Sequence, residues 1–94
     1  MNPTITLLGG RLKLESSPHG NPPEDALWLA TSVTPPPPAR VLDAMCGTGV
    51  VGLALLTREP TLHLTALDIN PTLTAAATRN AALNGFQANH TTLT

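Results

Sequence analysis

Aromatic side chains are almost missing from this chain: one Trp, one Phe and no Tyr in 94 residues. A core must then be built from Leu, Val and Ala, with few large anchors. Charged residues are also scarce, at 12%, and the formal net charge is −1. The five basic residues (Arg11, Lys13, Arg40, Arg58 and Arg79) are spread along the sequence. A surface that tracks phosphates needs clustered Lys and Arg, so charge gives no case for nucleic-acid binding. A single cysteine, Cys46, excludes an internal disulfide framework. No apolar run approaches the ~20 residues of a membrane span. The N-terminus lacks a basic segment followed by an apolar one, so no signal peptide is read there. A cytoplasmic protein without membrane contact is the expectation.

Proline, by contrast, is plentiful, with ten residues, and with glycine it divides the chain into four pieces. The first is 4–14, where Ile5, Leu7 and Leu8 lead to Gly9-Gly10. Arg11 to Leu14 then alternates polar and apolar, which predicts a short half-buried strand. Residues 15–23 read as loop. A helix is expected at about 24–33, with Glu24 and Asp25 in its first turn, where acids favour the positive helix end. Its face carries Leu27 and Ala30, with Trp28 expected to pack the helix on the sheet. The prolines at 35–38 predict a stiff polyproline connector.

The third piece, 41–68, has a β-α-β pattern. Arg40 to Ala44 reads as a strand, 47–49 as a tight glycine turn, Val50 to Thr57 as a helix, and His63 to Leu67 as a strand ending at Asp68. That order defines a right-handed parallel unit. The fourth is a helix at 71–84, with Asn70 as N-cap, Pro71 at the first helical position and Asn84-Gly85 as the stop. The chain is expected to end where a third strand begins.

Glycines after a strand let the backbone turn sharply and let a ligand approach the N–H groups opening the next helix. Gly47-Thr48-Gly49-Val50-Val51-Gly52 fits the dinucleotide pattern Gly-x-Gly-x-x-Gly, and Asp68 stands where either a dinucleotide or an adenosyl ribose takes a carboxylate. Asp43 separates these two. A carboxylate at the strand end would repel pyrophosphate, whereas it suits a cationic sulfonium and ammonium ligand. S-adenosylmethionine is therefore favoured over NAD(P), and Gly52 is read as a packing glycine between helix and sheet.

Val41-Leu42-Asp43-Ala44-Met45-Cys46-Gly47-Thr48-Gly49 resembles motif I of class I S-adenosylmethionine-dependent methyltransferases. Thr65 to Pro71 resembles motif II, and Arg79 to Gly85 resembles the following helix in RNA and protein methyltransferases. The resemblance implies an incomplete Rossmann-like α/β fold. An N-terminal segment at 1–39 would precede the first half of the cofactor domain at 40–94. It implies that Asp43, Met45, Cys46, Gly47 and Gly49 border the methionine part of the cofactor, that Asp68 holds the ribose and that Ile69 lies against the adenine. The family usually has Gly where this chain has Met45. The upstream segment, with Asp25-Ala26-Leu27-Trp28, is similar to bacterial tRNA (adenine-N6)-methyltransferases. That likeness implies a tRNA substrate and a place for Asp25 near the cofactor.

The Asn/Asp-Pro-Pro-aromatic motif that amino-methylating members carry after the fourth strand has no counterpart in the sequence. The chain is thus expected to bind cofactor, to be inactive alone, and to associate through an uncovered sheet edge. A non-catalytic cofactor-binding or interaction remnant is the alternative reading. Cys46 is read as a small loop residue and not a nucleophile, because no base is placed beside it. His19, His63 and His90 lack metal-ligand spacing.

Overall fold

The computed structural model describes residues 3–16 and 24–94. The loop expected at 15–23 lies outside them from residue 17 on, with His19, and its first residue, Glu15, belongs to a strand.

Two sheets and three helices make up the described chain. Strands β1 (Thr4–Leu7) and β2 (Leu12–Glu15) pair antiparallel, in register Thr4 with Glu15 and Leu7 with Leu12. The sequence predicted one strand here. The second arises because a 3-10 turn at Leu8–Gly10, with Gly9 and Gly10 at positive φ, folds the apolar run before it back on β2. The predicted alternation in β2 holds: Leu12 and Leu14 are buried and Lys13 is exposed.

The second sheet has the parallel order β3 (Arg40–Ala44), β4 (His63–Leu67), β5 (His90–Leu93). Helix α2 (Val50–Arg58) joins β3 to β4, and α3 (Pro71–Leu83) joins β4 to β5. Two right-handed crossovers running in the same direction put both helices on one face of the sheet. Burial follows that face. Leu64 and Ala66 of β4 are buried, while His63 and Leu67, pointing the other way, are exposed. Gly52 makes the contact possible. A Cβ there would stand 2.2 Å from Leu64 Cδ2, so its reading as a packing glycine is correct.

β5 corrects one expectation, since a third strand is present where the chain was expected to run out. Its sequence, His-Thr-Thr-Leu, lacks an apolar alternation because its inward face docks through hydroxyls. Thr92 Oγ1 meets Thr78 Oγ1 of α3 at 2.7 Å, and Thr94 Oγ1 meets Thr74 Oγ1 at 2.7 Å.

Helix α3 begins as its sequence predicts. The Asn70 side chain accepts the N–H groups of Thr72 and Leu73, and Pro71 takes the first turn. Gly85 follows its end at φ +78°. Helix α1 (Glu24–Ser32) packs beside α2 rather than on the sheet. Ala30 is buried and Leu27 half-buried, but Trp28 is 72% exposed. Trp28 therefore does not pack the helix on the sheet, because α1 meets α2 through its Leu27–Ala30 face. Arg58, at the end of α2, donates to the carbonyls of Thr31 and Val33. A cation there satisfies the free carbonyls at the C-terminal end of α1 and opposes its dipole. The proline connector bends at 37–38, where the peptide bond is cis, instead of running as a straight rod.

One core unites these parts: Leu12, Leu14, Ala30, Leu53, Leu56 and Leu64 belong to the same buried cluster.

Candidate cofactor site

The C-terminal ends of β3 and β4 and the first turn of α2 meet at the glycine loop, 45–49. The chain leaves β3 at Ala44 and turns at Met45, whose φ is +56°. Cys46 N–H then bonds to the Leu67 carbonyl at the end of β4, at 2.9 Å. Gly47 and Gly49 follow at φ +57° and +93°, and Gly49 N–H closes the turn on the Cys46 carbonyl at 3.0 Å. Gly49 is also a close-approach glycine, since a Cβ there would lie 3.2 Å from that of Ala77 in α3.

Two carboxylates attend this loop. Asp68, just past β4, accepts the Gly47 N–H at 3.0 Å through one oxygen and the Asn70 N–H at 2.9 Å through the other. These bonds, Asn70 first and Gly47 second, hold its carboxyl below the usual value of 3.8. Asp68 therefore stays ionised and fixes the loop's position relative to β4. A carboxylate offers about four acceptor sites, so two bonds leave capacity for a ligand hydroxyl.

Asp43 is different. It lies on the inward face of β3, where burial pushes its carboxyl above 3.8. A bond from the Gly52 N–H, in the first turn of α2, pulls it down, and the charge of Asp68 pushes it up. Its Oδ2 is buried with no hydrogen-bond partner among the described residues. An orphaned carboxylate oxygen beside a second carboxylate makes the loop electronegative. A cation placed there would relieve both, whereas pyrophosphate would be repelled.

Cys46 lies between them. Burial first, then Asp43 and Asp68, push its thiol up to about 11, and its S–H donates to the Gly47 carbonyl at 3.3 Å. It is an un-ionised thiol at neutral pH, so it lacks the thiolate that nucleophilic chemistry needs.

The structure brings Asp43, Cys46, Gly47, Gly49 and Asp68 together. Met45 and Ile69 flank them on the rim, 87% and 94% exposed. Asp25 is apart. It is exposed in the first turn of α1 and makes no hydrogen bond to the loop among the described residues. Asn80, which the sequence analysis did not single out, is fully buried and donates to the Thr48 carbonyl at 3.0 Å. An Asn amid alanines on the buried side of α3 was the available signal. Two cavities lie elsewhere. One of ≈ 170 Å³ sits between the hairpin turn, α1 and α2, near Leu8, Leu27, Ala54 and Arg58. The other, of ≈ 230 Å³, is at the opposite end of the sheet beside Arg40, His63 and Thr91.

A parallel sheet with helices on one face, and a glycine turn with acids at the carboxyl ends of its strands, define a Rossmann-like class I methyltransferase fold. The chain resembles a SAM-dependent methyltransferase from Agrobacterium tumefaciens with a TM-score of 0.70 and 19% identity, over 99% of this chain and 32% of that one. It resembles a SAM-dependent methyltransferase from Geobacter sulfurreducens, solved in complex with S-adenosyl-L-homocysteine, with a TM-score of 0.63 and 26% identity. That match covers 77% of this chain and 28% of the other.

The model of the methyltransferase small domain family matches residues 26–93, and the chain belongs to that family of class I S-adenosylmethionine-dependent methyltransferases. Among curated relatives, the ribosomal RNA small subunit methyltransferase C of Shewanella sp. (strain MR-4) is 43% identical over 60 residues, 64% of this chain and 18% of that protein. The protein of the same name from Pseudomonas syringae pv. syringae (strain B728a) is 33% identical over 88 residues, 89% of this chain and 26% of that one. The chain thus spans about a fifth to a quarter of the length of these two relatives.

Proposed function

We propose that the chain forms the S-adenosylmethionine-binding part of an RNA methyltransferase. The observation that carries this reading is the paired carboxylates at the glycine loop, one of them with a buried oxygen that has no partner among the described residues. Asp43 faces the cationic methionine end, and Asp68 accepts the ribose hydroxyls with its remaining lone pairs. Gly47 keeps the loop free of side-chain bulk: a Cβ there would meet nothing within 4 Å, leaving room above it. Ile69 and Met45 supply exposed apolar surface on either side, Ile69 for the adenine. When bound, the cofactor supplies the methyl group on its sulfonium. The chain's residues hold it, orient it and balance its charge.

The ribosomal RNA named in the two relatives above supports an RNA substrate, and turns the expected tRNA adenine-N6 target toward ribosomal RNA. Catalysis belongs to residues outside the motifs described here, and the chain alone is expected to transfer no methyl group. No described helix is long and apolar enough to cross a membrane.

An NMR titration tests the cofactor reading. S-adenosylmethionine is expected to shift the amide signals of Gly47, Gly49 and Asp68, and NADH to leave them in place. Shifts with NADH alone would replace this reading with a dinucleotide one.

A further inference from the structure

Asn80 stands in the last turn of α3 with no exposed surface. Its amide oxygen accepts the N–H of Glu15, on the outer side of β2, at 2.8 Å. Its amide nitrogen donates to the Thr48 carbonyl, inside the glycine loop, at 3.0 Å. The two partners fix the amide's orientation, because an N–H requires the oxygen and a carbonyl requires the nitrogen. One side chain therefore ties the N-terminal hairpin to the loop.

One turn along α3, Asn84 secures the hairpin side of that tie. It accepts the Lys13 N–H at 2.8 Å, donates to the Lys13 carbonyl at 2.6 Å, and donates to the Asn80 carbonyl at 2.7 Å. Arg79 closes the contact at the surface with an ion pair to Glu15 at 2.8 Å. The outer edge of β2 is thus paired with side-chain amides of a helix where a strand would otherwise pair. Gly49 lies against Ala77 on the same helix, so a displacement of α3 reaches the loop by contact as well as through the hydrogen bond.

We propose that Asn80 is a positioning residue that couples docking of the β1–β2 hairpin to the geometry of the glycine loop, which makes the hairpin a lever on cofactor affinity. When the hairpin leaves α3, Asn80 loses the partner that holds its amide oxygen. The amide then turns freely and the Thr48 carbonyl loses a fixed donor. The effect on affinity rests on the cofactor reading above. The coupling itself is measurable without ligand.

The experiment combines amide hydrogen exchange on the ligand-free protein with calorimetric titration of S-adenosyl-L-homocysteine, on wild type, Asn84→Ala and Asn80→Ala. Asn84 touches the hairpin and not the loop, so Asn84→Ala is the decisive variant. It is expected to speed exchange at Gly47 and Gly49 about tenfold, the scale of one lost buried hydrogen bond, while Ala66 in β4 changes less. Affinity is expected to fall by a similar factor, and Asn80→Ala to exceed both effects. Lys13→Pro replaces Asn84→Ala if that variant does not fold. It deletes the outward N–H that Asn84 accepts and fixes φ at Lys13, which an edge strand tolerates. Faster exchange at Lys13 and Glu15 with the loop unchanged would overturn the coupling. A loop that responds in a protein that binds no S-adenosyl-L-homocysteine would uphold the coupling and reject the cofactor reading.

Discussion

Met45 holds a left-handed backbone at φ +56° with its side chain almost wholly in solvent. Side chains avoid that region because Cβ crowds the following carbonyl, at about 1–2 kcal/mol. Glycine there would remove the strain but widen the unfolded ensemble by up to about 1 kcal/mol. Met45→Gly is therefore expected to stabilise the protein by roughly 0.5–1 kcal/mol in urea unfolding. A loss of stability would mean that the Met side chain makes contacts this account denies it. Asp43 carries a cost of another kind. Its folded carboxyl titrates above 3.8 because burial disfavours its charge. The folded state then binds its proton more tightly than the unfolded state, so its contribution is most favourable below 3.8 and is lost as pH rises through the folded value. Asp43→Asn is expected to raise stability at neutral pH, with a gain that shrinks toward acid, and to weaken cofactor binding. Unfolding curves for both proteins across that pH range check the sign. Asp68 has the opposite linkage: its stabilising bonds to the loop are lost as pH falls below 3.8.

Among the elements, α2 depends most on a single missing side chain. Gly52→Ala would drive a Cβ into the buried Leu64, at 2.2 Å from one methyl and 3.1 Å from the other. Overpacking of this kind costs about 1–3 kcal/mol, and the midpoint of thermal unfolding is expected to drop accordingly. An unchanged midpoint would mean that helix and sheet separate freely. The helices, β3 and β4 were legible in the sequence because their signals are local. Asn70-Pro71 starts α3, Gly85 stops it, and glycines mark the turn after β3. Elements whose stability comes from elsewhere were not legible. β5 shows no apolar alternation, because Thr92 and Thr94 dock by hydroxyl pairs to α3. β1 needs β2 to be a strand at all. Trp28 read as a core anchor, but α1 rests on α2 through its smaller residues and leaves the indole in solvent. The candidate site divides the same way. Its acids and glycines stood out by spacing, whereas Asn80 depends on the fold bringing Glu15 and Thr48 to it.

For the molecule as a whole, the sheet has one covered face and one open face among the described residues. Leu42, Leu67 and Leu93 stand exposed on the open side, and among the described residues no strand lies beyond β3. Free edges with apolar side chains pair with other chains. Sedimentation is expected to show association that grows with concentration and that Leu42→Lys suppresses; a monodisperse monomer at all concentrations would contradict this. In open α/β sheets the ligand lies outside the carboxyl ends of the strands, where the winding reverses. The glycine loop of this chain sits at those ends, beside the free edge of β3. Its acids set the charge of what can bind there. Calorimetry of the folded chain with S-adenosylmethionine and with NADH, on wild type and Asp68→Ala, tests that claim most directly. The expected result is binding of S-adenosylmethionine that Asp68→Ala abolishes, and no binding of NADH. A folded wild type that binds NADH and ignores S-adenosylmethionine would contradict it.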